Sequence, residues 1–426
     1  MIRKEKVTLG DISNIITGPF GSQLHQSDYV PVGIACIMPQ NIGNRTLNKD
    51  GIARITKKDA ERLNRYIIRV DDIVYARRGD VEKHAYISSE DDGALCGTGC
   101  MRVRVDSEKA YPLYVSFYLN RPESKRWISQ HAVGSNMPNL NTEILNNVPI
   151  ELPTMAEQKI ISHFLENIDR KIQLNAQICS ELEAMAKTLY DYWFVQFDFP
   201  DKSGRPYRSA GGEMVWNEQL KREIPRGWIV QSLSHGISGI NTGLNPRDNF
   251  VLGDGDIQYL TVKNLTTSGT IDFSGCDTVN ESTRNIIHAR SDISIGDILF
   301  ASIAPLGRCY LIQSEPRKWD INESVFSIRA NSNTFTPEFL YMYFMSDTFI
   351  KRATSSSTGS IFKGIRINTL LDIITIFPQK NIIDIFSEKV QKILALKEQK
   401  AIENQELTKL RDWLLPMLMN GQATVE

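Results

Sequence analysis

Sliding the chain against itself by 225 residues superposes Ile12, Ser13, Ile15, Thr17 and Gly18 on Ile237, Ser238, Ile240, Thr242 and Gly243. The register persists through Asp72, Ile73 and Ala76 on Asp297, Ile298 and Ala301, then Arg104 on Arg329, Pro112 on Pro337 and Tyr118 on Tyr343. It continues in Gly134 and Gly359, Leu145 and Leu370, Pro153 and Pro378, Leu182 and Leu407, and Leu189 and Leu414. One slip occurs, where MPQNI (38–42) matches TVKNL (261–265) at 223. A repeat this long makes the molecule two copies of one structural unit, whatever each unit does.

Each copy has two textures. The first, near 1–153 and 226–378, mixes short apolar runs (IVYA, MRVRV, ILFA, VFSIRA) with Gly, Asn, Asp and Ser clusters, and reads as strands, loops and a few helices such as PLYVSFYLN and PEFLYMYFM. The second, 154–200 and 379–426, is free of Pro before Pro416 apart from Pro200 at its margin, and reads as one long helix per copy. Thr154 and Glu157 form a capping-box pattern at the start of the first helix. Apolar residues then recur every seventh position: Ile161, Ile168, Leu182 and Leu189 in one helix, Phe386, Ile393, Leu407 and Leu414 in the other. Phe164, Ile178, Met185 and Leu165, Ile172, Ala186 flank the first row. Asn175 and Lys400, 225 residues apart, interrupt the two rows at their middles. Seams with one central polar residue pair while restricting register. The two helices are therefore expected to form an antiparallel coiled coil on the order of 60 Å long, at 1.5 Å per residue. The alternative is that each stripe packs on its own globular part. The stretch FDFPDKSGRPYRSAGGEMVWNEQLKREIPRGW, which includes the connector 201–225, is rich in Pro, Gly and aromatic residues and is expected to lie on a surface.

The expected fold class is α/β (α+β), with two globular domains, two long antiparallel helices and an internal pseudo-twofold repeat. At 426 residues and 41% hydrophobic content the chain has ample material for such cores. The formal charge is -1, with 24 Lys and Arg against 25 Asp and Glu in residues 1–200 and 25 against 25 in the remainder. Neither half is a basic arm, so any grip on nucleic acid needs positive charge segregated on one face or supplied by a partner. MIRKEKVTLGD leads into no apolar targeting segment, and no run approaches 18 apolar residues, so a cytoplasmic protein without membrane contact is expected. Six scattered cysteines fit a reducing compartment, and Cys96 and Cys100 lack the further ligands that a zinc site needs; no metal site is expected.

Signatures of catalysis are missing. There is no phosphate loop, no complete dinucleotide fingerprint and no Pro-Pro, which removes the tetrapeptide that holds a flipped base in amino-methyltransferases. The pattern Asp384 with Glu398 and Lys400 formally matches a nuclease, but it falls on the heptad helix. No catalytic residue is assigned. The loops instead offer hydrogen-bonding chemistry suited to DNA. Arg77 and Arg78 follow the strand IVYA, with Lys83 and His84 beyond, and a guanidinium at a strand end suits guanine O6 and N7 or a phosphate. Gln40, Asn41, Lys263 and Asn264 suit base edges. Ser135, Asn136, Asn139, Asn141, Ser360, Lys363 and Arg366 suit phosphates and sugars, and Arg308 stands farther along the loop that follows ILFA in the second copy. Ser302 stands at the duplicated position of Arg77, so the two copies are expected to read different bases.

Taken together, GPFGSQLHQSDY, GSNMPNLNTEILNNVPIELPTMAEQ, the connector and the duplicated long helix give a chain that resembles the specificity subunits of type I restriction-modification enzymes over nearly its whole length. The resemblance implies two target-recognition domains (1–153 and 226–378), each reading half of a split DNA target. It implies conserved helical regions (154–200 and 379–426) that act as a ruler and dock two adenine methyltransferase subunits, with restriction subunits joining. It implies a non-enzymatic chain without cofactor, S-adenosylmethionine, ATP and Mg being held by partner subunits. The second copy departs from the pattern: Thr242-Gly243-Leu244-Asn245-Pro246 replaces the Pro-Phe-Gly start, and FPQKNII replaces LPTMAEQ. A stand-alone DNA-binding protein is the competing reading.

Overall fold

The computed structural model describes residues 4–134, 138–247, 249–356 and 364–425. They fall into two compact units, 1–172 with 406–426, and 173–405. The first contains β1 (Glu5–Thr8), β2 (Ser13–Thr17), β3 (Tyr29–Ile37), β4 (Ala53–Ile55), α1 (Lys57–Arg62), β5 (Ile73–Ala76), β6 (His84–Tyr86), β7 (Leu95–Cys96), β8 (Cys100–Val105), α2 (Pro112–Leu119), α3 (Pro122–His131), α4 (Thr142–Asn146) and β9 (Pro149–Leu152). The long helix α5 (Met155–Tyr190) begins here and ends in the second unit with a π turn at Asp191–Val195. A hairpin, β10 (Met214–Asn217) with β11 (Arg222–Pro225), follows. Then come β12 (Ile229–Ser232), β13 (Ile237–Thr242), β14 (Ile257–Leu260), β15 (Asp277–Val279), α6 (Glu281–Ser291), β16 (Ile298–Ala301), β17 (Cys309–Leu311), β18 (Trp319–Ile321), β19 (Val325–Ala330), α7 (Pro337–Phe344), α8 (Asp347–Ser356), α9 (Ile367–Leu371), β20 (Ile374–Phe377) and the second long helix α10 (Lys380–Asn420).

The sheets repeat strand for strand. The first unit has a four-stranded sheet β2-β8-β5-β6, a three-stranded sheet β4-β3-β7 and the pair β1-β9; the second has β13-β19-β16-β17, β15-β14-β18 and β12-β20. IVYA and ILFA are buried at all four positions because each central strand is covered on both faces. Ile73 and Tyr75 face the helix-lined core with Leu113, Tyr114 and Phe117, whereas Val74 and Ala76 face the smaller sheet with Ile37 and Cys96. Ile298 and Phe300, against Leu299 and Ala301, divide the same way in the second unit. One ion pair is duplicated with the fold. Arg104 Nε and a terminal nitrogen donate to both oxygens of Asp72, each at 2.7 Å, and Arg329 does the same to Asp297 at 2.7 and 2.8 Å. Both aspartates are 1% exposed, and the bidentate geometry is what offsets their desolvation.

Thr154 caps α5 as its spacing predicts: its backbone N–H donates to Glu157 at 2.9 Å and Glu157 N–H donates back to the Thr154 hydroxyl at 3.4 Å. In α10 the helix continues through Pro416 and ends where Gly421 adopts φ +72. Within each unit the two long helices run antiparallel. In the first, Ile161 and Leu165 share a core with Leu415, Leu418 and Met419, and Asp169 meets Arg411 at 3.0 Å. In the second, the Cys179 thiol reaches the Lys397 carbonyl at 3.5 Å, and the Tyr190 and Phe386 rings lie 6.0 Å apart.

The seam of α5 follows its expected row, with Ile161, Ile168 and Asn175 buried and Leu182 and Leu189 half-buried. Of the flanking rows, Leu165 and Ala186 turn inward while Ile178 and Met185 are exposed. The seam of α10 departs from its expected row. Phe386 is buried, but Ile393, Lys400, Leu407 and Leu414 are half-buried beside a deeper row of Val390, Leu394, Lys397, Leu415 and Leu418. The buried lysine is therefore Lys397, paired with Glu183 at 3.1 Å, and Lys400 turns to Glu403 at 2.7 Å. The reason is that α10 also covers a sheet-and-helix core, and burial on that second side rotates its most buried line away from the heptad row.

The connector is a folded element. Phe199 stacks between Tyr207 and Trp228, at 4.6 and 5.0 Å, and Phe197 is fully buried against Trp228.

Each core is closed by a helix segment from the other repeat. Burial of Leu415, Leu418 and Met419 contributes on the order of 1.5–3 kcal/mol each to the first unit. Leu418→Ala is expected to lower stability by about 2–5 kcal/mol in denaturant unfolding. Deleting residues 406–426 is expected to speed hydrogen exchange in Pro112–Leu119 of the first unit and to spare Pro337–Phe344 of the second; the reverse pattern would contradict this packing.

Candidate nucleic-acid interface

At the end of β5 the chain meets three other segments. The Arg77 N–H donates to the Gly99 carbonyl at 2.7 Å, Leu140 N–H to the Arg77 carbonyl at 2.9 Å, Gly79 N–H to Pro138 at 3.3 Å, and Gly18 N–H to Cys100 at 2.9 Å. The second unit repeats the cluster at the end of β16: Ser302 N–H donates to Ser324 at 3.1 Å, Ile365 N–H to Ser302 at 2.8 Å, and Gly243 N–H to Asn322 at 3.2 Å. The glycine of each Thr-Gly pair is required by this close approach. A Cβ on Gly18 would stand 2.2 Å from the Gly97 carbonyl oxygen, and one on Gly243 only 1.7 Å from that of Ile321.

The first cluster gathers Arg77, the exposed Arg78 and Asn139. It also holds Thr98, which its short sequence GTG did not single out. Arg77 Nε, Thr98 Oγ1 and Asn139 Oδ1 are buried without a hydrogen-bond partner among the described residues. Three unpaired polar atoms thus gather where these loops converge, beside the exposed Arg78. In the second cluster Ser302 replaces Arg77, and Arg366 is exposed one residue beyond Ile365. Arg308, on the same loop, is half-buried with its Nε unpaired among the described residues.

Other candidates have structural work. Asn41 and Asn264 are 1% and 6% exposed; the Asn41 side chain bonds Met38 N–H and the Asn48 carbonyl, and Asn264 bonds Thr261 N–H and the Asp272 carbonyl in the same way. They close turns and offer nothing to a base edge. Neighbouring Gln40 and Lys263 are exposed. Asn141 caps α4, accepting from Ile144 N–H at 2.7 Å. Lys83 pairs with Asp80 at 2.7 Å and is 46% exposed. His84 is fully buried beside Tyr75 and bonded to the Ser116 hydroxyl at 3.1 Å, so it belongs to the core. Ser135, Asn136, Ser360 and Lys363 lie outside the described residues. The nuclease pattern does not converge: Asp384 pairs with Lys380, Glu398 accepts from the Tyr310 hydroxyl at 2.6 Å, and the two carboxylates sit about 21 Å apart along one helix. Among the described residues no group of three or more His, Cys, Asp and Glu is placed to hold a metal ion, all six cysteines are free, and no helix is long and apolar enough to cross a membrane.

Burial, reinforced by the positive charges of Arg45 and Lys125, pushes the His84 imidazole down to about 3. A histidine held neutral in the fold and free to protonate when unfolded stabilises above its ordinary value near 6.5 and loses that contribution as pH falls below it. The first unit is expected to lose stability progressively from pH 6.5 toward 3, and His84→Asn to flatten part of that loss in melting curves. An unchanged acid slope would show that His84 does not contribute.

Comparison with known proteins agrees with this anatomy. Residues 1–184 and 237–405 match the type I restriction modification DNA specificity domain. The chain is 23% identical to the type I restriction enzyme HindI specificity subunit of Haemophilus influenzae, over 98% of this chain and 99% of that protein. It is 25% identical to the MjaIX specificity subunit of Methanocaldococcus jannaschii, over 74% and 69%. The crystal structure of the type I restriction-modification S subunit from M. genitalium shares the fold, with a TM-score of 0.61 at 15% identity, covering 98% of this chain and 96% of that one. With both copies of the repeat matched by the family's domain, the chain belongs to the type I restriction-modification DNA specificity family.

Proposed function

We propose that this chain is the sequence-reading, non-catalytic subunit of a type I restriction-modification enzyme, and that each unit reads one half of a bipartite duplex target. The observation that carries the reading is the duplicated loop cluster: the same backbone convergence at the ends of β5 and β16, with Arg77 in one and Ser302 in the other. A common frame with different side chains suits two readers of different bases. Arg77 and Arg78 are suited to guanine edges or phosphates, and Arg308 and Arg366 serve the second half. The paired long helices set the unread gap and dock two adenine methyltransferase subunits. Restriction subunits complete the enzyme, and S-adenosylmethionine, ATP and Mg act in those partners. Six free cysteines suit the reducing cytoplasm. The near-neutral charge of -1 suits a reader that borrows part of its electrostatic grip from its partners.

Co-expression with the cognate methyltransferase, followed by methylome sequencing, should yield adenine methylation at one split motif; a continuous motif would contradict two separate readers. In the same assay Arg77→Ala should relax or weaken one half-site, with a cost of about 1–3 kcal/mol if its contact is a bidentate pair to guanine. Equal loss at both halves would count against a base-reading role.

A further inference from the structure

Arg45 occupies a turn that favours glycine. Its φ is +62, a left-handed backbone that side chains rarely adopt. The corresponding turn in the second unit is one residue longer, Thr266 N–H donating to Thr270 where Gly43 N–H donates to Thr46, and it holds Gly269 at φ +65 just before the closing Thr270, as Arg45 stands just before Thr46. An arginine kept in a glycine position implies that its side chain does something glycine cannot.

That side chain ties four elements of the first unit together. The Arg45 backbone pairs with β6, its N–H donating to the His84 carbonyl at 2.7 Å, where the chain returns from the Arg77–Lys83 loop. Its Nε donates to the Ser116 hydroxyl of α2 at 3.1 Å, and its guanidinium carbon lies 3.4 Å from the centre of the Phe117 ring. A terminal nitrogen donates to Asp169 of α5, whose other oxygen accepts from Arg411 of α10 at 3.0 Å. The Arg45 side chain is 9% exposed. A buried charge so fully paired has one orientation available, and a rigid link of this kind holds the groups it joins in register.

The second unit solves the same place with other chemistry. At the 225-residue offset Tyr341 stands for Ser116, Leu394 for Asp169 and Ala186 for Arg411. The Tyr341 hydroxyl lies 2.1 Å from where a Gly269 Cβ would be. The fold therefore tolerates a glycine in this turn, and the charged triad is particular to the first reader.

We propose that Arg45 is a positioning residue for the first half-site: through Asp169 and Arg411 it locks the strand that follows the Arg77–Lys83 loop to both long helices. The proposal rests on the reading of the loop cluster as a DNA interface. Arg45→Gly relieves the turn and removes the tether, and Asp169→Asn removes the charge while keeping shape. In the complex co-expressed with its methyltransferase, each variant is expected to relax the half-site that Arg77 reads, with discrimination against single-base changes there falling about tenfold, and to leave the other half-site intact. The double variant should be no worse than either single one. An unchanged motif overturns the proposal. So does loss of methylation at both halves together with a lowered melting temperature, since that makes Arg45 a fold residue. A wild-type complex with no split motif would instead overturn the two-reader function on which the proposal rests.

Discussion

The exchange of helices between the repeats is the constraint from which the rest follows. The first repeat's sheets and helices leave an apolar face that its own α5 covers only in part, and the segment Leu415–Met419 of α10 completes it. The second repeat is completed by Ala186, Tyr190, Trp193 and Phe194 from the end of α5 and the turn beyond it, packed on Phe339 and Phe386. Each long helix thus belongs to two cores. A helix that contributes to a core near each end must stay uninterrupted, which accounts for the absence of Gly and Pro until Pro416 in α10.

Buried ionic contacts divide into two kinds. Asp72 with Arg104 and Asp297 with Arg329 are identical in the two copies and hold the same strand junction in each, so they serve the fold. Arg45 with Asp169 and Arg411 joins a turn of the first unit to both long helices, whereas in the second unit Lys397 of α10 pairs with Glu183 of α5 and donates to the Ser268 carbonyl. The difference has a physical basis. The first kind is inherited with the duplicated domain where its residues are kept, although Asp320 with Arg284 and His288 has no counterpart because Leu95 stands in the first copy; a contact with the long helices depends on which of the two helices supplies the partner.

Much of this was legible in the residues themselves. The 225-residue offset located equivalent strands and helices and superposed Gly18 on Gly243, and the spacing of Thr154 and Glu157 located the start of α5. The seam of α10 was not, because a heptad row records only that one face is apolar, and α10 has a second apolar neighbour that turns Lys397 inward in place of Lys400. Asn41 and Asn264 were misassigned for a similar reason. An Asn in a loop has the same chemistry whether its amide faces a base or its own turn, and only the paths of Asn48 and Asp272 decide between them. His84 stands six and seven residues from the arginines of the loop, yet one strand pairing takes it from the surface into the core.

By itself the sequence determined that the molecule is a duplicated α/β chain with two long helices, since periodicity and repetition are properties of the chain alone. The tertiary structure decided which polar side chains stay exposed and which are consumed by the fold. Hydrogen-bonding groups are neutral between those uses until the segments that would satisfy them are brought together, as Gly99, Pro138 and Leu140 are around Arg77.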